Sequence, residues 1–100
     1  MSQGQKQKSN EAARSAVGVH FTALGWDDYS HWKDSDQTIS KSIDSLINQC
    51  LRTPFKGIGK PEPLTGDLTG YWSRRITKEH RFVYFYEGGV LTVIACRHHY

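Results

Sequence analysis

The chain has 100 residues, of which 37% are hydrophobic and 12% aromatic, enough for one small domain with a single core. No apolar run approaches the roughly 20 residues of a membrane-spanning helix, and residues 1–15 lack the apolar core of a secretory signal peptide, so we expect a cytoplasmic protein without a membrane partner. Residues 1–51 hold five Lys or Arg and six Asp or Glu, whereas residues 52–100 hold eight and four, which indicates a polyanionic partner for the C-terminal half.

The chain begins with a polar stretch that we do not expect to belong to the domain. Residues 1–16 are rich in Gln, Lys and Ser, which predicts a tail that is disordered or left over from cloning, ahead of a single domain at residues 17–100. Residues 17–22 form a short apolar run with β-branched side chains and predict the first strand.

Aromatic side chains come next, with a helical spacing. Trp26, Tyr29 and Trp32 recur at every third position among charged residues, as on the core-facing side of a short helix. Large rings at this spacing are more often core than binding site, so we expect them to pack in the interior.

A second helix has a capping signal at its start and a clear stop. The N-cap candidates are Asp34, Ser35 and Asp36, and Gln37 is placed to complete a capping box with Asp34. The helix should end near residues 52–53, because the residue before Pro54 avoids helical geometry. Its apolar stripe consists of Ile39, Ile43, Leu46, Ile47, Cys50 and Leu51.

The two cysteines are expected to be buried thiols and not a disulfide. Cys50 falls on the apolar stripe of the second helix, and Cys96 falls within a predicted strand. A reducing cytoplasm favours free thiols, and free cysteine is among the most buried residue types.

The C-terminal half predicts a structured loop and three strands. Residues 54–70 contain all three prolines and several glycines, which marks the loop. Strands are predicted at residues 71–76, 80–86 and 90–97, the last two joined by a hairpin turn at residues 87–89. The order β-α-α-β-β-β predicts an α+β fold, with two helices packed on one face of a mostly antiparallel sheet and the other face free to bind a ligand.

Two arginines provide the first indication of chemistry. If a hairpin is centred near Lys78, Arg75 lies directly across from Arg81 on one face of the sheet. Like charges placed opposite each other destabilise a sheet. Since a guanidinium fork suits a phosphate, an anion bound between the two arginines would relieve the repulsion, which points to phosphodiester chemistry.

The glycine-containing loop does not match a nucleotide-binding P-loop. Gly57 and Gly59 are separated by one residue, and Lys60 is followed by Pro61 where the motif requires Ser or Thr. The loop does hold Glu62 between two prolines, which restrict the backbone and present the carboxylate with little conformational freedom. An ordinary solvated glutamate is the alternative.

The chain ends Cys96-Arg97-His98-His99-Tyr100. Strand alternation would place Val93, Ala95, Arg97 and His99 on one side and Ile94, Cys96 and His98 on the other. A zinc site through the cysteine and the histidines is disfavoured, because zinc takes three or four ligands and no second cluster at ligand spacing exists. We therefore expect neither a metal nor a cofactor. A frayed, solvated terminus is the alternative to a functional one.

These side chains have complementary functions in RNA cleavage without a metal. A base must remove the proton of the ribose 2′-hydroxyl, cations must stabilise charge on the phosphorane, and an acid must protonate the departing 5′-oxygen. Glu62, the arginine pair and His99 fit these three functions.

The same residues carry a family resemblance that covers about residues 18 to 100. The chain resembles the YoeB toxins of bacterial type II toxin–antitoxin modules, within the RelE superfamily. The matching segments are Trp26-Asp27-Asp28-Tyr29 with Trp32, Gly57-Ile58-Gly59-Lys60-Pro61-Glu62-Pro63-Leu64, Gly70-Tyr71-Trp72-Ser73-Arg74-Arg75-Ile76, Glu79-His80-Arg81, Val83-Tyr84 and the five C-terminal residues.

The resemblance implies a ribosome-dependent messenger-RNA endonuclease that acts on the codon in the A site. It implies that Glu62 is the general base, Arg75 and Arg81 bind the phosphate, and His99 is the general acid, with Tyr100 beside it. The basic side chains expected to contact RNA are Lys56, Lys60, Arg74, Arg97 and His98. One departure is Thr65, where relatives often have a lysine, and Lys60 or Lys56 would supply that charge.

The resemblance also implies partners. They are a YefM-like antitoxin that holds the enzyme inactive, the ribosome with its A-site message, a second copy in a homodimer, and operator DNA only through the antitoxin complex. The alternative is a non-catalytic basic binding module of the same fold, either a gyrase poison or a repressor component, because fold alone does not set function.

Overall fold

The computed structural model describes residues 18–98, so the predicted N-terminal tail lies outside the described residues. The elements, in chain order, are β1 (Gly18–Phe21), α1 (Ala23–Ser35), α2 (Gln37–Arg52), β2 (Glu62–Pro63), a 3₁₀ turn (Gly66–Leu68), β3 (Trp72–Arg75), β4 (Arg81–Glu87) and β5 (Val90–Ala95).

Five strands form one sheet in the order β1-β5-β4-β3-β2. Strand β1 runs parallel to β5, and the other pairs are antiparallel. The parallel pairing of β1 with β5 requires a long connection between the two strands. Both helices and the strands β2, β3 and β4 lie in that connection. The predicted α+β class, with two helices on a mostly antiparallel sheet, is confirmed.

The junction between the helices corrects a predicted cap. Asp36 ends α1 by donating its backbone N–H to the Trp32 carbonyl, and begins α2 by accepting from the Ile39 N–H at 3.1 Å. The predicted capping box of Asp34 with Gln37 is wrong, since the Gln37 amide donates to the Lys33 carbonyl instead. Asp36 takes the cap because its extended backbone is the bend between the helices.

Two strand boundaries also differ from the prediction. Within the predicted loop, Glu62 and Pro63 form a short strand against β3. At the other end, β5 stops at Ala95. The neighbouring β4 residues Val83 and Tyr84 pair with Ala95 and Val93, and this register shift breaks the alternation along β5. As a result Val93 and Cys96 both belong to the core, so the predicted assignment of these residues to opposite sides is wrong. An extra residue in one strand reverses the side-chain faces beyond it.

The core lies between the helices and one face of the sheet. It contains Trp32, Ile43, Leu46 and Cys50 from the helices and Phe82, Tyr84, Leu91, Val93 and Cys96 from the strands. The predicted apolar stripe of α2 and the predicted burial of both cysteines are confirmed, and the cysteines are free. Burial raises the pKa of Cys50 to about 11 and that of Cys96 to about 12, so both remain thiols at neutral pH. No helix within residues 18–98 has the length and apolar character to cross a membrane.

Helix α1 approaches β5 closely at Gly25. The Thr22 side chain caps α1 by accepting from the Gly25 N–H at 3.0 Å, and its hydroxyl donates to the Ile94 carbonyl at 2.7 Å. A Cβ at position 25 would lie 2.4 Å from the Val93 carbonyl oxygen. Glycine is therefore required by packing against backbone.

We predict that Gly25→Ala lowers the free energy of unfolding, although alanine favours helix by about 1 kcal/mol. Overpacking against a strand backbone costs about 1–3 kcal/mol. The control is Ser45→Ala on the exposed side of α2. It should raise the free energy of unfolding by about 0.3 kcal/mol, because alanine has the higher helix propensity. Urea denaturation measures both, and a Gly25→Ala protein as stable as the parent would contradict the close approach.

Candidate active site on one face of the sheet

One row of paired residues crosses four strands. Glu62 of β2 pairs with Ser73, Ser73 pairs with Val83, and Val83 pairs with Ala95. Directly paired residues point to the same side of a sheet, and Phe82 on the neighbouring position of β4 points into the helix-side core. The row therefore lies on the side away from the helices, and we call this side the site face.

The site face has a floor of small buried side chains. Ser73 is 6% exposed, Val83 1% and Ala95 0%, whereas Glu62 at the end of the row is exposed. Short side chains on the inner strands keep the floor low, so that longer neighbours stand around it. Local sequence patterns do not assign these three residues to the site. They are recognised only from their pairing across neighbouring strands.

The predicted pairing of Arg75 with Arg81 is confirmed by the register. Each arginine lies two residues along its strand from Ser73 or Val83, and so on the site face. Glu62 and Arg75 are diagonal neighbours, with Cα atoms about 7–8 Å apart. Three predicted groups, one carboxylate and two guanidinium groups, therefore share one face.

The two arginines are held differently. Arg75 is exposed, whereas Arg81 is half-buried and its Nη1 donates to the Thr77 carbonyl at 3.0 Å, with longer contacts to the Lys78 and His80 carbonyls. The turn carbonyls thus offset part of the repulsion between the two arginines. From the sequence, a bound anion alone was expected to relieve it. Within residues 18–98 these bonds all start from Nη1, so the N–H donors of Nε and Nη2 are available to a ligand.

Arg74 is fully buried, and the prediction that it contacts RNA is wrong. Its Nε donates to the Tyr84 hydroxyl at 3.2 Å and its Nη1 to the Ile58 carbonyl at 3.1 Å, while Nη2 donates to the carbonyls of Thr53 and Lys56. Strand alternation places Arg74 on the opposite side from Arg75. The guanidinium is satisfied by loop carbonyls, and no surface is left for a phosphate.

This buried arginine anchors the loop that leads to Glu62. The Tyr84 hydroxyl donates to the Pro54 carbonyl and accepts from Arg74. Burial raises the pKa of Tyr84 to about 12, so the hydroxyl stays protonated and keeps donating at neutral pH. Four loop carbonyls are therefore tied to β3 and β4 from the core side.

The last residues before Glu62 are fixed against β3. The Arg75 N–H donates to the Gly59 carbonyl at 2.6 Å, and a Cβ at Gly59 would meet the Arg75 carbonyl oxygen at 3.0 Å in a left-handed backbone with φ of +79°. Lys60 follows with φ of +50°. Lys56 and Lys60 are both exposed, and the prediction that either supplies the charge of the family lysine stays a prediction.

Backbone strain marks both approaches to the predicted catalytic residues. Within residues 18–98 the non-glycine residues with positive φ are Lys60, at +50°, and His98, at +63°. Lys60 lies two residues before Glu62, and His98 immediately precedes His99 in the sequence. Left-handed backbone at a residue with a side chain costs about 1–2 kcal/mol, and such strain is often concentrated at functional sites.

The C-terminal residues are described only up to His98. His98 is exposed, and the Arg97 guanidinium lies 5.9 Å from the centre of the Trp32 ring, so Arg97 contacts α1. The predicted RNA contacts of these two residues stay predictions. His99 and Tyr100 lie outside the described residues. Among residues 18–98, no three His, Cys, Asp or Glu side chains gather into a group that could hold a metal ion.

Comparison with known proteins shows the family of this chain. Residues 21–100 match the family model described as the YoeB-like toxin of bacterial type II toxin–antitoxin systems. The toxin YoeB of Streptomyces coelicolor is 52% identical over 82 residues, which are 82% of this chain and 98% of that protein. The chain belongs to the YoeB-like toxin family.

Solved structures of YoeB proteins share the fold. The YoeB/ParE toxin from Agrobacterium tumefaciens superposes with a TM-score of 0.81 at 52% identity and covers 84% of this chain and 100% of its own. From Staphylococcus aureus, a YoeB dimer and a heterotetrameric YoeB–YefM complex each superpose with a TM-score of 0.79 at 36% identity. They cover 84% and 85% of this chain, and 98% and 99% of their own chains.

The adjacent arginines of this YoeB-like toxin make a matched pair for mutagenesis. We predict that Arg74→Met lowers the free energy of unfolding by about 3 kcal/mol or more, because hydrogen bonds from a charged donor contribute about 1.5–3 kcal/mol each. Arg75→Met should stay within about 0.5 kcal/mol, as for an exposed residue. Chemical denaturation measures both, and equal losses would contradict the buried anchor.

Proposed function

We propose that the protein is a ribosome-dependent endonuclease that cleaves messenger RNA in the A site without a metal ion. The observation that carries the proposal is the position of Glu62, Arg75 and Arg81 on one face, over a floor of small side chains. A carboxylate beside two guanidinium groups suits a reaction that begins with proton removal and gathers charge on a phosphate.

The reaction starts at the ribose 2′-hydroxyl. Glu62 accepts the hydroxyl proton, and the 2′-oxygen attacks the adjacent phosphorus. The bond from phosphorus to the 5′-oxygen then breaks, and the leaving oxygen takes a proton from His99. The products are a 2′,3′-cyclic phosphate or the 3′-phosphate formed from it, and a 5′-hydroxyl. Acid–base groups of this kind each contribute about 10² to 10⁴ in rate.

The arginines stabilise the phosphorane that forms between attack and departure. Arg75 is exposed. The turn carbonyls accept from Nη1 of Arg81, so its Nε and Nη2 are proposed to bind the phosphate. Two cations across a strand pair fit the non-bridging oxygens, and removal of one such oriented donor costs about 10² to 10³ in rate. Tyr100 follows the acid in sequence and is assigned to the same site.

The shape of the site favours a requirement for the ribosome. Glu62 and Arg75 are exposed on a sheet surface and not enclosed in a cleft. In-line attack requires the 2′-oxygen, phosphorus and leaving oxygen to be aligned, and alignment supplies a large part of the rate in such reactions. A message already held in the A site brings this alignment, so the enzyme acts where translation occurs, in the cytoplasm.

The partners follow from the relatives. Because YoeB of Staphylococcus aureus is found in a complex with YefM, we propose a YefM-like antitoxin for this chain, with an acidic segment that folds along the basic site face. That segment would neutralise the enzyme by displacing His99 and Tyr100. Operator DNA is bound only through this complex. Since a YoeB dimer is also known, we propose that the free toxin self-associates.

We predict that a translation extract with a defined message yields a cut at an A-site codon, mapped by primer extension. Glu62→Gln and His99→Ala should each lower the cleavage rate by about 10² to 10⁴, and Arg81→Ala by about 10² to 10³. The control is Glu87→Gln, which removes an exposed carboxylate at the far end of β4 and should cleave like the parent.

Thermal unfolding of each variant shows whether a loss of cleavage reflects the site or the fold. If the three site variants cleave like the parent, the assigned residues are wrong. If the parent protein leaves the message intact but inhibits DNA supercoiling by gyrase, the binding-module alternative replaces the nuclease.

A further inference from the structure

The backbone of His98 is held on both sides by the first residues after the β3–β4 turn. Its N–H donates to Nδ1 of His80 at 2.7 Å, and its carbonyl accepts from the Arg81 N–H at 2.8 Å. His98 itself adopts a left-handed backbone with φ of +63°. Two hydrogen bonds therefore hold a strained residue at the point where the chain continues to His99.

The His80 ring is well supported for this contact. It packs edge-on against Trp32, with ring centres 4.7 Å apart. Trp32 is buried and its Nε1 donates to the Cys96 carbonyl at 2.8 Å, while the Asp28 carboxylate accepts from the Cys96 N–H at 3.0 Å. Helix α1 thus fixes both Cys96 and the ring that holds His98, so the last described residues have one defined path.

The contact requires one protonation state of His80. An imidazole nitrogen accepts a hydrogen bond only when it carries no proton, so His80 must be neutral with its proton on Nε2. A protonated ring has donors at both nitrogens, and its Nδ1–H would oppose the His98 N–H. Protonation of His80 therefore breaks the contact.

We propose that neutral His80 is a positioning residue, which holds the backbone of His98, the residue before His99, and thereby supports proton transfer from His99 to the leaving oxygen. This inference rests on the proposed function, in which His99 is the general acid. A general acid must be protonated at the moment when His80 must be neutral. Neighbouring groups with opposite protonation states are a recurrent feature of acid–base sites.

The surroundings of His80 keep its ring neutral. Burial lowers the pKa of His80 from its usual 6.5, and the charges of His98, Arg97 and His31 act in the same direction, while Glu79 opposes them. The folded protein thus binds this proton less readily than the unfolded chain. The contact is complete above pH 6.5 and is lost as the pH falls through the lowered pKa of the folded state.

The first test is an NMR titration of the intact protein. The ¹⁵N shifts of the His80 ring should report the Nε2–H form at neutral pH, and the His98 amide should shift with the same midpoint as the His80 ring. His31→Phe is the control, since it keeps an aromatic ring next to Trp32 and should leave this coupling in place. A His98 amide that does not follow the His80 titration would overturn the clamp.

The second test compares two substitutions in single-turnover cleavage on saturating ribosomes. His80→Asn keeps an acceptor near Nδ1 but does not titrate, whereas His80→Leu keeps bulk against Trp32 and has no acceptor. We expect His80→Leu to lose on the order of 10²-fold in rate, as for a slightly misplaced group. His80→Asn should retain most of the rate at neutral pH. Its pH–rate profile should lose the decrease at acidic pH that protonation of His80 causes.

The two tests separate the possible failures. Equal cleavage by His80→Leu and the parent overturns the positioning function. An inactive parent with an intact coupling between His80 and the His98 amide refutes the proposed nuclease while the clamp stands. Because the titration uses the parent protein, the clamp remains testable even if His80→Leu does not fold.

Discussion

The register between β3 and β4 is the constraint on which the rest of the molecule depends. With Arg75 paired to Arg81 and Ser73 to Val83, every second residue of these strands lies on the site face, while Phe82 and Tyr84 enter the core. A slip by one residue would exchange the two faces. It would expose the buried Arg74 and bury the exposed Arg75, at a cost set by an unpaired charge in the core.

Contacts on the helix side of the sheet hold the segments that carry the residues of the site face. Arg74 and Tyr84 tie the carbonyls of the loop before Glu62, and Asp28 and Trp32 tie the backbone of Cys96 before the C-terminal residues. Neither set of contacts faces the proposed substrate. Catalytic geometry has to be supported by residues with locked conformations, and this small domain places that support between the helices and the sheet.

Local signals in the sequence predicted much of this arrangement. The turn around Lys78 was enough to pair Arg75 with Arg81, the apolar stripe of α2 predicted its buried side, and Pro54 predicted its end. These features depend on near neighbours along the chain. Other features depend on distant contacts, and sequence reasoning failed there. Arg74 is buried because carbonyls 16 to 21 positions earlier accept its donors.

The same limit explains the remaining errors. The register shift between β4 and β5 places Val93 and Cys96 on one side, where Asp28 of α1, 68 positions earlier, accepts from the Cys96 N–H. The pairing of Glu62 with Ser73 depends on a loop held by Gly59 against the Arg75 N–H. Sequence patterns do not predict the contact of His80 with His98, because it spans 18 positions.

A double-mutant cycle of cleavage rates with Glu62→Gln and Arg81→Ala tests the central claim most directly, because the claim is that these side chains act on one phosphate. Groups that act as a unit give strongly non-additive losses. We expect the double variant to cleave little more slowly than the slower single variant. Losses that multiply, as for independent sites, would contradict it.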